Sequence, residues 1–249
     1  MAKPDHHFGL HAIEALLNST PELVLTLFVL QGRDDQRMQT VLLLAKRFSI
    51  PVQRAARETL NRLAEGTHHQ GIVAAVKATP VKAEAELWQL LAAQPRCWLL
   101  VLDQVTDPHN LGACIRTAAA MGVHAVIVPR DRAAGLSPVV RKVAAGGVDQ
   151  LDFIQVTNLA RTLEGLRERQ VHVVGTILNE QAKPIDQCQL DGALAIVMGA
   201  EDTGLRRLTQ ENCDELAYIP MQGKLQSLNV SVATGMALYE ASRQRHAST

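Results

Sequence analysis

The spacing of apolar positions divides the chain into two units. In the first, apolar residues recur at helical intervals over residues 9–18 (GLHAIEALLN) and 34–48, where Met38, Val41, Leu42 and Ala45 share a face. Between and after these stretches come a β-like run at 23–30, a short helical segment at 57–64 and the apolar strand GIVAAV at 71–76. Helix and strand alternate, so residues 1–78 predict a small α/β unit. The second unit carries short, largely apolar runs at 98–102, 124–128, 151–155, 171–176, 194–198 and 216–219. Helical stretches at 111–121, 159–169, 205–212 and 230–243 lie between most of them. Such strands predict a largely parallel sheet with both faces covered. Residues 79–95 read as a linker that opens at Pro80, carries Lys82, Glu84 and Glu86, and closes at Pro95, with a helix over 84–93. The second unit is then 96–249.

Composition narrows the class. Hydrophobic residues make up 47% and charged residues 20%, as in a folded globular chain, while 3% aromatic residues weigh against an all-β sandwich. A net charge of zero argues against binding through a whole-surface positive field but leaves room for a local basic patch. Residues 1–78 hold nine Lys and Arg against seven Asp and Glu, and five of the nine His: His6, His7, His11, His68 and His69. His68–His69 fit either a solvated turn or a contact to a nucleic acid. Arg130, Arg132, Arg141 and Lys142 fit either a grip on an RNA backbone or a solvated loop. Cys97, Cys114, Cys188 and Cys213 form no CxxC pair, which predicts buried, reduced thiols and no metal site. No apolar run reaches the roughly 18 residues of a membrane span, and residues 1–7 show no apolar run behind a basic head. The expected location is the cytoplasm.

Ligands on parallel sheets sit at the carboxyl ends of strands, so the polar residues that follow the apolar runs carry the functional signal. Three segments stand out. In DQVTDPHNLGACIRTA (103–118), Asp107 and Pro108 predict a helix start, Asn110 lies in the first turn and Arg116 in the middle. In a helix and flanked by Ala, Cys and Ile, Arg116 is expected to be partly buried, and the plain alternative is an ion pair with Asp103 or Glu201. Gly112, Ala113 and Ala119 allow close approach to another backbone. In LAIVMGAEDTG (194–204), Gly199 and Gly204 allow a tight bend or close approach to a ligand, and Glu201 follows the strand end. Neither GxGxxG nor a Walker A loop is present, which excludes a typical dinucleotide or nucleoside-triphosphate site. In IPMQGKLQSLNVSVATG (219–235), a strand end and turn lead to a helix whose cap is Ser227 or Asn229.

Each segment alone is unspecific; together, in this order and each at a strand end, they resemble the SpoU (TrmH-like) family of RNA 2′-O-methyltransferases of the SPOUT superfamily. GLHAIEALL (9–17) and HHQGIVAAV (68–76) are similar to that family's substrate-binding domain. The resemblance implies an α/β fold with a C-terminal deep trefoil knot and a smaller N-terminal RNA-binding domain. Periodicity alone predicts an open sheet, since true knots are rare. It also implies S-adenosyl-L-methionine as methyl donor, a guanosine ribose of 23S ribosomal RNA as substrate, and a homodimer whose site borrows from both subunits. The cofactor would be held around Thr176, Gly199, Ile219, Met221 and Leu228. The reacting residues would be Asn110, Arg116, Glu201, Ser227 and Asn229. A base role for Arg116, which the family suggests, conflicts with a guanidinium pKa above about 12. Stabilising the developing oxyanion or gripping a phosphate suits its charge better. A tRNA substrate and a non-catalytic RNA-binding role are the competing readings.

Overall fold

A computed structural model describes residues 4–64, 66, 68–77, 80–179, 181–223 and 227–247. The first unit is a four-stranded sheet with helices on both faces. Its elements are β1 (Asp5–Phe8), α1 (Leu10–Ser19), β2 (Val24–Leu30), α2 (Gln36–Arg47), β3 (Val52–Ala55), α3 (Arg57–Leu63) and β4 (Ile72–Val76), with strand order β1-β4-β2-β3. Alternation along β2 and β4 sorts the core. Leu27, Val29, Ile72, Ala74 and Val76 meet α1 and α2 on one face, and Phe28, Leu30 and Val73 meet α3 on the other. Strand β1 escapes the apolar pattern because it is short and reads Asp-His-His-Phe. Pairing with β4, not apolar content, makes it a strand.

The segment expected to be a linker is packed. Lys82 bridges to Ile154, its amide donates to the Phe153 carbonyl at 2.9 Å, and its ammonium meets Asp152 at 2.6 Å. Helix α4 (Glu84–Ala93) buries Leu87 under the second sheet.

The second unit follows the order β5 (Trp98–Asp103), α5 (Pro108–Ala120), β6 (Ala125–Pro129), α6 (Pro138–Ala144), β7 (Asp152–Val156), α7 (Leu159–Glu168), β8 (His172–Thr176), β9 (Lys183–Pro184), β10 (Leu194–Gly199), α8 (Arg207–Glu211), β11 (Glu215–Tyr218) and α9 (Val230–Ala247). Seven strands in the order β7-β6-β5-β10-β8-β11-β9 all pair in parallel. Period-two alternation again assigns the faces. Leu100, Leu102, Val126, Ile196 and Met198 pack on α5, α6 and α9, whereas Leu99, Val101, Ile127, Ala195 and Val197 pack on α4 and α7. Gly112 brings α5 onto α6: a Cβ there would lie 2.7 Å from Val143 Cβ and 2.8 Å from the Val140 carbonyl.

Helix α6 was not foreseen, and it corrects the reading of Arg141 and Lys142 as loop cations. Arg141 is buried and meets Asp5 at 2.7 Å, and the Lys142 ammonium lies 5.5 Å over the Phe8 ring. Both therefore join α6 to strand β1 of the first unit. The cysteines are free thiols, and burial pushes Cys97, Cys114 and Cys188 up to about 11 and Cys213 to about 12.

Candidate functional site

Strands β8, β10 and β11 end side by side, and the chain leaving each lines a cleft of about 440 Å³. Thr176 comes from β8, Met198 and Gly199 from β10, Tyr218 and Ile219 from the end of β11, and Met221, Ser227 and Leu228 from the turn before α9. All five residues assigned to the cofactor by resemblance, Thr176, Gly199, Ile219, Met221 and Leu228, are lining residues. The Thr176 hydroxyl donates to the Val197 carbonyl at 3.0 Å and fixes the floor. Gly199 has a structural reason of its own. A Cβ there would lie 2.3 Å from the Gly204 carbonyl carbon, so its close approach is to the returning chain. That return is closed by the Gly204 amide donating to the Ala200 carbonyl at 2.9 Å, with Gly204 at φ +63°.

Glu201 leaves this turn and organises the mouth of the cleft. Its Oε1 accepts from the Val230 amide at 3.0 Å, from Asn110 Nδ2 at 3.3 Å and from Asn229 Nδ2. Asn229 Nδ2 also reaches Asn110 Oδ1 at 3.0 Å. Asn229 caps α9, accepting from the Ser231 amide at 3.0 Å, and a carboxylate at that helix N-terminus opposes the positive end of its dipole. On the other side, Asp107 caps α5 by accepting from the His109 and Asn110 amides at 3.3 and 3.0 Å, which sets Asn110. One residue from each sequence segment thus meets the other two.

Arg116 is not part of this network. It is exposed and does not line the cleft, contrary to the expected partial burial. The reason is helical geometry: Leu111, Cys114, Ile115 and Ala118 define the buried face of α5, and at ~100° per residue Arg116 points well away from it. Asp103 takes a different partner. It is fully buried and accepts from Arg206 Nε at 2.7 Å, the Arg206 amide at 3.1 Å and Thr209 Oγ1 at 2.7 Å. This clamp ties the end of β5 to α8 and was missed, because nothing local links positions a hundred residues apart. Leu178, Thr203 and Gln210 also line the cleft unforeseen; the places of Leu178 and Thr203 shortly after strand ends were an available signal, whereas Gln210 lies within α8 and had none. Among the described residues, no three His, Cys, Asp or Glu side chains are grouped to hold a metal ion.

The lining fits an adenosyl group. Met198, Ile219, Leu228 and Ala233 offer apolar contact to a flat base, the turn backbone offers polar groups, and the volume lies within the usual range for small-ligand clefts.

Comparison with known proteins gives the same picture from a separate direction. Residues 98–239 match the model of the SpoU rRNA Methylase family, and residues 8–81 match RNA 2′-O ribose methyltransferase substrate binding. The chain is 62% identical to the 23S rRNA (guanosine-2′-O-)-methyltransferase RlmB of Acinetobacter baylyi, over 98% of this chain and 99% of that one. It is 52% identical to the same-named protein of Shewanella oneidensis over 98% and 99%. Among solved structures, the SpoU methyltransferase AviRb from Streptomyces viridochromogenes, in complex with the cofactor AdoMet, superposes with a TM-score of 0.76 at 22% identity, covering 97% of this chain and 90% of that one.

Proposed function

The chain belongs to the SpoU rRNA methylase family, and from that premise we propose that it transfers the methyl group of S-adenosyl-L-methionine to the ribose 2′-oxygen of a guanosine in 23S ribosomal RNA. The observation that carries the site is the contact among Asn110, Glu201 and Asn229 at the mouth of an apolar cleft. The substrate rests on identity to the RlmB relatives over nearly the whole chain. A first unit that matches a substrate-binding model favours ribosomal RNA over tRNA.

When bound, the cofactor supplies a methyl group on a sulfonium centre. The backbone around Gly199, Ile219, Met221 and Leu228 would hold it, with Thr176 nearby at the end of β8. The chain's own task is alignment, which can supply roughly 7–11 kcal/mol of the barrier. Asn110 and Asn229 present amides to the ribose hydroxyl, with Ser227 beside them on the cleft wall. Three donors on Glu201 Oε1 fit an anchoring role better than that of proton acceptor. Arg116, with its charge retained, stabilises the oxyanion or grips the neighbouring phosphate.

Because Arg116 lies away from the cleft of its own chain, it serves the cleft of a second copy in this proposal. A homodimer is supported by Val232, Met236 and Tyr239, which expose an apolar stripe at helical spacing on α9. The strand order supports a knotted path, since β10 and β11 enter gaps left beside the earlier strand β8. Division into 1–78, 79–95 and 96–249 remains our proposal for the domains, with 79–95 fastened to the third. A ribosomal RNA substrate supports a cytoplasmic location in this proposal; separately, among the described residues no helix is long and apolar enough to cross a membrane.

The test maps ribose methylation in 23S rRNA from cells lacking the protein. One guanosine should lose its methyl group, regain it with a wild-type copy, and stay unmodified with an Arg116→Ala copy. An unchanged 23S map, or loss of a tRNA methylation instead, would refute the proposal.

A further inference from the structure

A second concavity, about 660 Å³, lies in the first unit between the starts of α1 and α2, helix α3 and the loop before β4. Its loop is held from several sides. His69 is buried; its Nδ1 accepts from the Gly71 amide at 3.0 Å, so Nε2 carries the proton and donates to Asn61 Oδ1 at 2.9 Å. Burial, then the charge of Arg57, holds this imidazole below its ordinary value of 6.5, so it stays neutral. Gln70 and Gly71 take positive φ of 50° and 69°. Gln70 Oε1 accepts from the Leu10 amide at 3.1 Å, and its carbonyl accepts from Arg33. The cleft is therefore preformed.

Its lining carries three guanidinium groups, Arg33, Arg37 and Arg57, beside His11 and His68, against the one described carboxylate, Asp35. Asp35 is already engaged, meeting Arg33 at 2.6 Å and accepting from the Met38 amide at 3.1 Å as the cap of α2. Arg37 and Arg57 are exposed and, among the described residues, have no carboxylate within ion-pair distance. Guanidiniums gathered on one cleft repel each other unless an anion joins them, and their fork geometry matches a phosphate. The volume suits one nucleotide, and an unpaired nucleotide can enter such a cleft where a duplex cannot.

We propose that this cleft takes an unpaired nucleotide of the substrate RNA, with Arg37 and Arg57 gripping its phosphate. The inference rests on the methyltransferase reading only for the choice of RNA as the anion's source. The test measures binding of a 23S rRNA fragment as salt is raised, separately from methyl transfer, for wild type, the double variant Arg37→Ala/Arg57→Ala, the lysine pair Arg37→Lys/Arg57→Lys, and the control Arg47→Ala outside the cleft. The alanine pair should bind at least about tenfold more weakly, and its dependence of log K on log salt should be shallower by about 0.7 to 1 per lost phosphate contact. The lysine pair should retain the slope with intermediate affinity, and Arg47→Ala should match wild type. Equal affinity and slope in wild type and the alanine pair would overturn the proposal. If the alanine pair were misfolded, a lysine pair with wild-type affinity would overturn the phosphate grip. Wild type that shows these binding differences without methylating the RNA would leave the cleft standing and defeat the functional reading alone.

Discussion

At the scale of single residues, Glu201 and Gly199 do different work at the same turn. Glu201 joins two amides to the start of α9, so Glu201→Gln keeps the shape and removes the charge. Loss of the helix-end interaction should cost about 0.3–1 kcal/mol, while methyl transfer should fall at least tenfold. Thermal unfolding and single-turnover transfer read the two effects separately, and unchanged transfer would show that the charge at the cleft mouth is dispensable. Gly199 tolerates no side chain because the chain returns against it. Gly199→Ala should cost about 1–3 kcal/mol by overpacking. For a chain of this size, each kcal/mol lowers Tm by about 2–4 °C. A variant with unaltered Tm would mean that the turn relaxes freely.

At the scale of elements, the join between β1 and α6 carries a pH signature. His7 on β1 is buried, and burial is the main reason its pKa lies below 6.5; Arg141 and His6 push the same way, against Asp149 and Asp5. A depressed folded-state value means that the unfolded chain binds the proton more readily. His7 therefore contributes stability that is complete above pH 6.5 and is lost as pH falls below it. His69 acts in the same direction, so the comparison that isolates His7 is urea unfolding of wild type against His7→Gln from pH 7.5 down to 5.5. The variant should lose less stability over that range; parallel curves would contradict the assignment. Strands β5, β6 and β10 were legible as continuous apolar runs in a doubly covered sheet, and β7, β8 and β11 as shorter, mostly apolar runs broken by a polar residue or two. Strands β1, β3 and β9 were not, since short edge strands owe their state to a partner rather than to pattern. Helix α6 was hidden by its length, and the charge on Arg141 suggested solvent where the fold supplies Asp5. In the site, Asn110, Glu201 and Asn229 were legible from the strand-end rule together with family resemblance. The exposure of Arg116 was not, because Cys114, Ile115 and Ala118, its apolar neighbours in sequence, turn toward the core while Arg116 turns away from it.

At the scale of the whole molecule, the proposed homodimer rests on the exposed apolar stripe on α9 and on an exposed Arg116 that does not line the cleft of its own chain. Introducing a charge by Met236→Glu should convert a dimer to a monomer in sedimentation velocity and reduce methyl transfer with it, while the far-ultraviolet circular dichroism stays native. A fully active monomer would disprove the shared site. The central claim is that three remote segments form one pocket in which a methyl donor meets a ribose hydroxyl. Its most direct measurement incubates the purified protein with methyl-labelled S-adenosyl-L-methionine and 23S rRNA, or tRNA, and digests the product to nucleosides. The account predicts label in 2′-O-methylguanosine from 23S rRNA, with none from tRNA and a strong loss in Asn229→Ala. Label on a base, label in tRNA alone, or full transfer by Asn229→Ala would contradict it.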